Sequence, residues 1–225
     1  MCGRFQLSVK GKQISERFNI DVFDELYRPS YNCAPSQKLP VITNEDSGKL
    51  SFLKWGLIPF WSKDPKVGFR NINTRAETIV EKPSFKQAFQ KRRCLIPSNG
   101  FYEWKKDTNK TPYRIFLKND DLYAMAGIWE TWKDAEERET HTFSIITTAA
   151  IPTISNIHHR MPVILAPEDE HKWLHESDKD ILQNLLVPYT FGTIESYPVS
   201  KKVNFPKNNN PEIAMEDLGG QQLLF

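Results

Sequence analysis

Alternating apolar and polar positions predict that this chain forms mainly β-strands. Two apolar runs, 39–44 and 50–58, flank the turn sequence EDSG, which indicates a β-hairpin. Residues 27–37 contain two prolines and are expected to run extended. Further strands are predicted at residues 2–9, 94–106, 111–119, 122–132, 140–150 and 194–200.

Helical spacing is limited to a few short segments. Ile14 and Phe18 stand four residues apart, which predicts a short helix around them. Residues 84–92 form a second helical candidate. Pro167, with acidic residues beside it, is typical of a helix N-terminus and predicts a helix at 166–177.

Many strands and few helices indicate the α+β class. We expect a single domain over residues 2–225 with a curved, barrel-like, mainly antiparallel β-sheet core and a few short helices. Residues 206–225 are expected to form a loose C-terminal tail. The long polar segment 59–75 contains several aromatic residues, and a loop of that length in a compact domain is usually functional or mobile.

Composition narrows the class of protein. The chain has 225 residues, 39% of them hydrophobic, and a net charge of +2, which suits a folded globular protein and excludes a disordered one. It contains no apolar run of membrane-spanning length and no signal peptide, so we expect a cytoplasmic protein. Basic residues concentrate at 85–94 and 200–207, and such runs are usually solvated surface.

The three cysteines are Cys2, Cys33 and Cys94. Their odd number and the absence of a CxxC spacing exclude a disulfide framework and a zinc knuckle. Cys33 and Cys94 lie in apolar surroundings and are expected to be buried small hydrophobic residues. Cys2 differs from both because it directly follows the initiator methionine.

Removal of Met1 would leave Cys2 with an α-amine and a thiol on adjacent carbons. The two groups have reference pKa values of about 8 and 8.5, and we expect the charge of Arg4 to lower that of the thiol further. A 1,2-aminothiol condenses with an aldehyde to an imine and closes to a thiazolidine ring. Cys2 is equally suited to be the nucleophile of an N-terminal hydrolase, or it is an ordinary residue near a terminus.

Three other polar stretches contain side chains that are suited to binding or catalysis. Residues 71–78 combine Asn73, Arg75 and Glu77, which suit phosphate contact and the orientation of a hydroxyl or carbonyl group, or else form a turn before a helix. Glu103 lies between Tyr102 and Trp104, and an aromatic-lined strand face would raise its pKa and prepare it for acid–base work. The alternative is an exposed acid between buried aromatic residues.

The third stretch, NIHHRMPVIL, places His158, His159 and Arg160 just before an apolar strand. Adjacent histidines on an extended chain point in opposite directions, so a shared metal site is not expected. A proton-transfer role for one histidine is the better hypothesis.

Taken in order, the motifs CGRF, YNCAPSQ, WGLIPFW, NTRAET, RCLIPSNGFYEWKK and IHHRMPVIL resemble the SRAP family (SOS-response-associated peptidase). The resemblance covers residues 2–205. It implies a curved sheet, a positively charged channel for single-stranded DNA, and a covalent crosslink to abasic sites that shields them during replication. It requires no metal or other cofactor.

The resemblance also implies roles for individual residues. Cys2 is the crosslinking residue, Asn73 positions the deoxyribose and the amine, and Glu103 and His158 open the sugar ring. The implied DNA contacts are Arg4, Arg75 and Arg160 near the phosphates, Trp61 as a wedge against the bases, Thr147 as a polar backbone contact, and Asn32 and Pro35 in the channel wall.

We therefore expect a monomeric, membrane-independent protein that binds abasic sites in single-stranded DNA and is associated with the nucleoid if bacterial. We also expect weak AP lyase activity, with replication-fork proteins as possible partners. Two alternatives stay open. Cys2 is the nucleophile of an autoprocessing cysteine peptidase, or the protein is a non-covalent single-stranded DNA-binding module.

Overall fold

The chain folds into strands joined by short helices and turns, and the computed structural model describes residues 2–22 and 25–218. The strands are β1 (Arg4–Leu7), β2 (Ser30–Cys33), β3 (Lys38–Thr43), β4 (Ser51–Trp55), β5 (Asn73–Arg75), β6 (Arg93–Ser98), β7 (Gly100–Trp104), β8 (Pro112–Leu117), β9 (Tyr123–Lys133), β10 (Glu139–Ala149), β11 (Arg160–Pro162) and β12 (Ile194–Pro198). The α-helices are α1 (Gly11–Phe18), α2 (Pro83–Lys91), α3 (Pro152–Ser155), α4 (Pro167–His175) and α5 (Lys179–Asn184). The α+β class is confirmed.

Five strands close into a barrel in the order β10-β4-β3-β6-β9, because β9 also pairs with β10. The barrel is mixed, since β4 runs parallel to β10 whereas the other neighbours are antiparallel. Beyond the barrel, β10 continues and pairs with β5 in parallel and with β11 antiparallel. This extension of β10 brings Asn73 and Arg160, which are distant in sequence, onto two strands that both pair with β10.

The second sheet is antiparallel, with the order β12-β8-β7-β1-β2. Its strand β1 is paired on both sides, with Phe5 opposite Phe101 of β7 and opposite Cys33 of β2. Phe5 also packs edge-on against Trp55 of the barrel, with ring centroids 5.3 Å apart. Strand β1 is therefore held in the interior between the two sheets.

The expected hairpin at 39–44 and 50–58 is confirmed, because β3 and β4 pair antiparallel with Leu39 opposite Leu53. The predicted helices at 84–92 and 166–177 correspond to α2 and α4. Strand β5 was missed, since it is only 3 residues long and lies at the end of a polar loop. Within the described part of the chain, no helix has the length and apolarity needed to cross a membrane.

The basic segment 85–94 is not simply solvated surface. Arg93 is 3% exposed. It donates hydrogen bonds to main-chain carbonyls near the ends of α2 and α4, namely those of Phe89, Gln90, Trp173, Leu174 and Glu176. Helix ends leave carbonyls without intrahelical donors, and one buried guanidinium supplies donors for two helices here.

The loose tail expected from residue 206 is wrong for residues 206–217. Ile213 is fully buried in a small cluster with Tyr102 and Val203. The Asn209 side chain accepts a hydrogen bond from the Tyr31 amide at 2.6 Å. These contacts fix the segment against the antiparallel sheet, which the sequence alone did not indicate because the apolar anchors are few. Residues 219–225 lie outside the described residues.

Candidate active site

Cys2 lies immediately before β1 and is completely buried. Its thiol points at the Arg4 carbonyl, with Sγ 3.7 Å from the oxygen. Burial, and next the negative charge of Glu103, raise the pKa of the thiol well above its usual range. The expectation that Arg4 lowers this pKa is wrong, because the Arg4 guanidinium is directed elsewhere, to Asn32 and to the Val203 carbonyl.

Asn73 on β5 contacts Cys2 directly. Its Nδ2 atom donates to the Cys2 carbonyl at 2.8 Å. The pairing of Asn73 with Ile145 of β10 fixes the amide in this place. Its Oδ1 atom is buried and has no hydrogen-bond partner within the described residues. That oxygen is therefore an acceptor directed into the site beside Cys2.

Glu103 on β7 is 2% exposed, and burial raises its pKa to about 7. Its Oε1 atom lies 3.9 Å from Nδ1 of His158. Burial acts on His158 in the opposite direction and lowers its pKa to about 4. Between these two values the carboxyl group holds a proton and the imidazole does not.

The two adjacent histidines do not point in opposite directions as expected. Their rings stack with centroids 4.5 Å apart. The reason is the turn that begins at α3, since the His158 amide donates to the Ile154 carbonyl and the chain is not extended there. His159 is exposed and covers one face of His158.

Arg160 begins β11 behind His158. Its guanidinium forms a two-pronged pair with Glu77, at 2.6 and 2.9 Å, and also donates to the Thr147 carbonyl at 2.6 Å. Thr147 is fully buried and pairs across strands with Arg75, whose side chain is exposed. Of Arg75 and Arg160, Arg75 is therefore the arginine whose side chain faces solvent.

Arg4 and Asn32 lie together but away from solvent, at 9% and 1% exposure. The Arg4 guanidinium donates to Asn32 Oδ1 at 2.7 Å, and Asn32 Nδ2 donates to the Asn208 carbonyl at 2.7 Å. Both side chains thus connect the first strands to residues 203–208. Pro35, also predicted in the channel wall, is half-buried after β2.

Trp61 is 54% exposed in the loop after β4, and two further aromatic residues that the sequence analysis did not select, Phe60 and Phe69, are 52% and 65% exposed. The loop is firmly held. A Cβ atom on Gly56 would lie 2.7 Å from the Gly68 carbonyl oxygen, so the two backbones touch. We call residues 59–70 the aromatic loop.

The alternation of aromatic and basic residues in the aromatic loop was the signal that could have identified Phe69, because Arg70 follows it directly. Lys106 is another residue near the site that the sequence did not indicate. Desolvation, and then the charges of Lys106, Arg160 and Arg75, lower the pKa of His159. Cations therefore surround the exposed histidine at the mouth of the site.

The described residues contain no group of three or more His, Cys, Asp or Glu side chains placed to hold a metal ion. What the site offers is a buried carboxyl group with a raised pKa, a neutral imidazole, an amide and a cysteine. These groups suit proton transfer next to a nucleophile.

Comparisons with known proteins identify the family of this chain. The family described as SOS response associated peptidase (SRAP) matches residues 1–206. "Abasic site processing protein YoqW" of Bacillus subtilis (strain 168) is 49% identical over 220 residues, covering 95% of this chain and 98% of that protein. "Abasic site processing protein HMCES" of Rattus norvegicus is 35% identical and covers 85% of this chain and 66% of that protein. A crystal structure of a protein from Bacteroides thetaiotaomicron has a TM-score of 0.88 at 33% identity, covering 96% of this chain and 100% of that one. The resemblance seen in the motifs is thereby confirmed, and the chain belongs to the SRAP family.

Proposed function

We propose that this protein senses and shields abasic sites in single-stranded DNA by forming a covalent crosslink through Cys2. The observation that carries the proposal is the proximity of Glu103 and His158, 3.9 Å apart with pKa values near 7 and 4, beside the buried Cys2. The relatives from Bacillus subtilis and Rattus norvegicus are named abasic site processing proteins, which supports the same substrate.

The reaction begins with opening of the sugar. An abasic site exists mostly as a closed hemiacetal, and the aldehyde forms when the ring oxygen gains a proton and the anomeric hydroxyl loses one. Glu103 in its protonated form supplies the first proton, and neutral His158 accepts the second. Positioned acid–base groups of this kind typically contribute about 10²–10⁴-fold in rate.

Cys2 then reacts through nitrogen first. Loss of Met1 leaves a primary amine on Cys2, which adds to the aldehyde carbon; loss of water gives an imine. The raised pKa of the thiol supports this order, because little thiolate is present to attack the aldehyde directly. Asn73 positions Cys2 through the bond to its carbonyl, and its Oδ1 atom accepts a hydrogen bond from the amine or the sugar.

Ring closure completes the crosslink. Cys2 Sγ bonds to the imine carbon, the carbon–nitrogen π bond breaks, and the thiol proton is transferred to nitrogen. The product is a five-membered thiazolidine, and no oxidant or reductant is consumed. Closure is favoured because both groups belong to one residue and are held close together.

The imine also allows a second outcome. Removal of the proton on the carbon next to the former aldehyde leads to β-elimination of the 3′ phosphate and breaks the strand. Glu103 and His158 are the bases within reach of the imine. We therefore propose weak AP lyase activity as a side reaction that competes with ring closure.

The strand itself lies across the exposed aromatic and basic residues near the site. Trp61 and Phe69 are more than half exposed, and flat aromatic side chains stack on unpaired bases without sequence preference. Arg75 and Lys106 supply positive charge for phosphates beside the histidines. Unpaired bases are required for this stacking, which favours single-stranded over duplex DNA.

The test uses a single-stranded oligonucleotide with one abasic site and a denaturing gel. We expect the wild-type protein to give a heat-stable shifted band without borohydride. Cys2→Ala retains an N-terminal amine, so it should give a band only when the imine is trapped by borohydride reduction. A heat-stable band from Cys2→Ala without reduction, or no band from the wild type, would refute the proposal.

Two further measurements separate the alternatives. Intact mass should show that Met1 is absent, and a protein that retains Met1 cannot form the ring. Cleavage of a peptide panel that is lost in Cys2→Ser would instead identify a peptidase. Binding of the oligonucleotide with no covalent product would identify a non-covalent DNA-binding module.

A further inference from the structure

Glu77 and Arg160 form a two-pronged ion pair next to the site. Both guanidinium NH groups contact the two carboxylate oxygens of Glu77, and one of them also reaches the Thr147 carbonyl at 2.6 Å. The Arg160 side chain is only 10% exposed, whereas that of Glu77 is 51% exposed. Desolvation of the guanidinium is thus compensated by a carboxylate that reaches in from the surface.

The main chain of Arg160 contacts the catalytic histidine. The Arg160 amide donates to His158 Nδ1 at 3.1 Å, and the Arg160 carbonyl lies 3.2 Å from the same nitrogen. The amide can only donate and the carbonyl can only accept, so Nδ1 is held by the Arg160 main chain in either neutral tautomer, and Nε2 is the ring nitrogen left for chemistry. The position of Arg160 therefore sets the orientation of the His158 ring.

We infer that Glu77 is a positioning residue for His158 and acts through Arg160. Its carboxylate holds the Arg160 guanidinium against Thr147, which fixes the first residue of β11 and, through the main chain, the imidazole beside Glu103. This inference rests on the proposed function for the role of His158 in ring opening. The orientation of the ring itself does not depend on that proposal.

The competing interpretation is that Arg160 binds a DNA phosphate and that Glu77 merely occupies the guanidinium until DNA arrives. The two interpretations make opposite predictions for Glu77→Gln. Loss of a positioning group slows proton transfer and leaves DNA affinity unchanged. Loss of a competitor frees a cation and tightens DNA binding, with a steeper dependence on salt.

The experiment compares Glu77→Gln with Glu81→Gln, which removes the same charge from an exposed position four residues further along the chain. We expect Glu77→Gln to reduce the single-turnover crosslinking rate at saturating DNA by about tenfold, as for a misplaced catalytic group. The dissociation constant and its salt slope should match those of Glu81→Gln. Tighter binding with a steeper slope, or an unchanged rate, would overturn the inference.

A second readout needs no DNA. Nitrogen NMR of the imidazole rings, with His158 assigned by its absence in His158→Gln, reports the tautomer and the pKa. The charged or titratable groups that act on His158 are the N-terminal amine, Glu103, His159 and Lys106, and all are kept in both variants. In Glu77→Gln we expect the pKa of His158 to rise from about 4 toward 6.5 as the ring becomes hydrated.

The two readouts keep the inference and the proposed function separate. If the wild type forms no crosslink, the proposed function fails and the NMR measurement alone decides whether Glu77 positions His158. If the crosslink forms but the His158 signals and pKa of Glu77→Gln equal those of Glu81→Gln, the positioning role is refuted.

Discussion

The Nδ1 atom of His158 lies 3.9 Å from the Oε1 atom of Glu103, and burial shifts the pKa values of these two neighbours in opposite directions. A carboxyl group that keeps its proton up to about pH 7 stands next to an imidazole that stays neutral down to about pH 4. An acid and a base are therefore present together across the intervening pH range, although their ordinary pKa values would assign the roles the other way round.

The raised pKa of Glu103 has a consequence for stability. In the unfolded chain the carboxyl group titrates near 4.5, so the stabilisation from its neutral form is complete below that pH and is lost as pH rises to about 7. Glu103→Gln stays neutral throughout. Relative to this variant, we expect the free energy of unfolding of the wild type to fall by about 3 kcal/mol between pH 4.5 and 7.5. Urea denaturation of both proteins across this pH range measures the difference. Parallel curves of unfolding free energy against pH would contradict the prediction.

The contact between Gly56 and Gly68 predicts the effect of a single methyl group. Gly56 has φ of +123°, and an added Cβ would meet the Gly68 carbonyl oxygen at 2.7 Å. We expect Gly56→Ala to destabilise the protein by about 3 kcal/mol, from backbone strain and displacement of the aromatic loop. In Gly48→Ala the new atom has no neighbour within 4 Å, so thermal unfolding should be nearly unchanged. Equal melting temperatures for the two variants would show that the loop is not held at this point.

Phe69 should contribute to DNA affinity without contributing to the chemistry. Removal of a stacking side chain costs about 1–3 kcal/mol per base, so we expect Phe69→Ala to weaken binding of single-stranded DNA roughly 5- to 150-fold. Fluorescence anisotropy with a labelled oligonucleotide measures this. Phe191→Ala is the control, since Phe191 is 54% exposed and lines a different cavity with Tyr189. Equal affinities for the two variants would exclude Phe69 from the strand path.

Arg93 should be the most sensitive arginine for stability. Replacement by Lys leaves a cation but removes the planar fork that reaches carbonyls of both α2 and α4. Buried carbonyls that lose their donors cost about 1–3 kcal/mol each, so Arg93→Lys should lower the free energy of unfolding by about 3 kcal/mol. Arg138→Lys, at a 73% exposed side chain, is the matched control in chemical denaturation. A loss below 1 kcal/mol would mean that water replaces the missing donors.

The local pattern of apolar and polar residues predicts most of the strands, but it does not predict which strands pair with each other. The alternation around β9 and β10 predicts both strands, whereas the parallel pairing of β10 with β4 and β5 joins residues about seventy or more positions apart. Nothing within a short window encodes such a register. Strand β5 escaped prediction for a related reason, since its conformation comes from β10 and not from its own three residues.

The arginines of the site show the same thing, since their partners in the fold cannot be read from the local sequence. Arg4 and Arg160 were expected near phosphates because the resemblance to the SRAP family implies that role, and arginine side chains are mostly exposed in proteins. Both are buried, because Asn32 and Glu77 lie opposite them in the fold. Cys2, Asn73, Glu103 and His158 were selected by their chemistry and by resemblance, and the contact of Asn73 with Cys2 and of His158 with Glu103 follows from topology alone.

The bond from Arg4 to the Val203 carbonyl joins residues 199 positions apart in the chain. During synthesis the first strand leaves the ribosome long before this partner exists, and its neighbour β7 arrives about a hundred residues later. Cys2, which directly precedes this strand, therefore cannot be enclosed until almost the whole polypeptide has been made. It stays accessible to solvent and to processing enzymes during most of translation, and folding buries it only when synthesis is nearly complete.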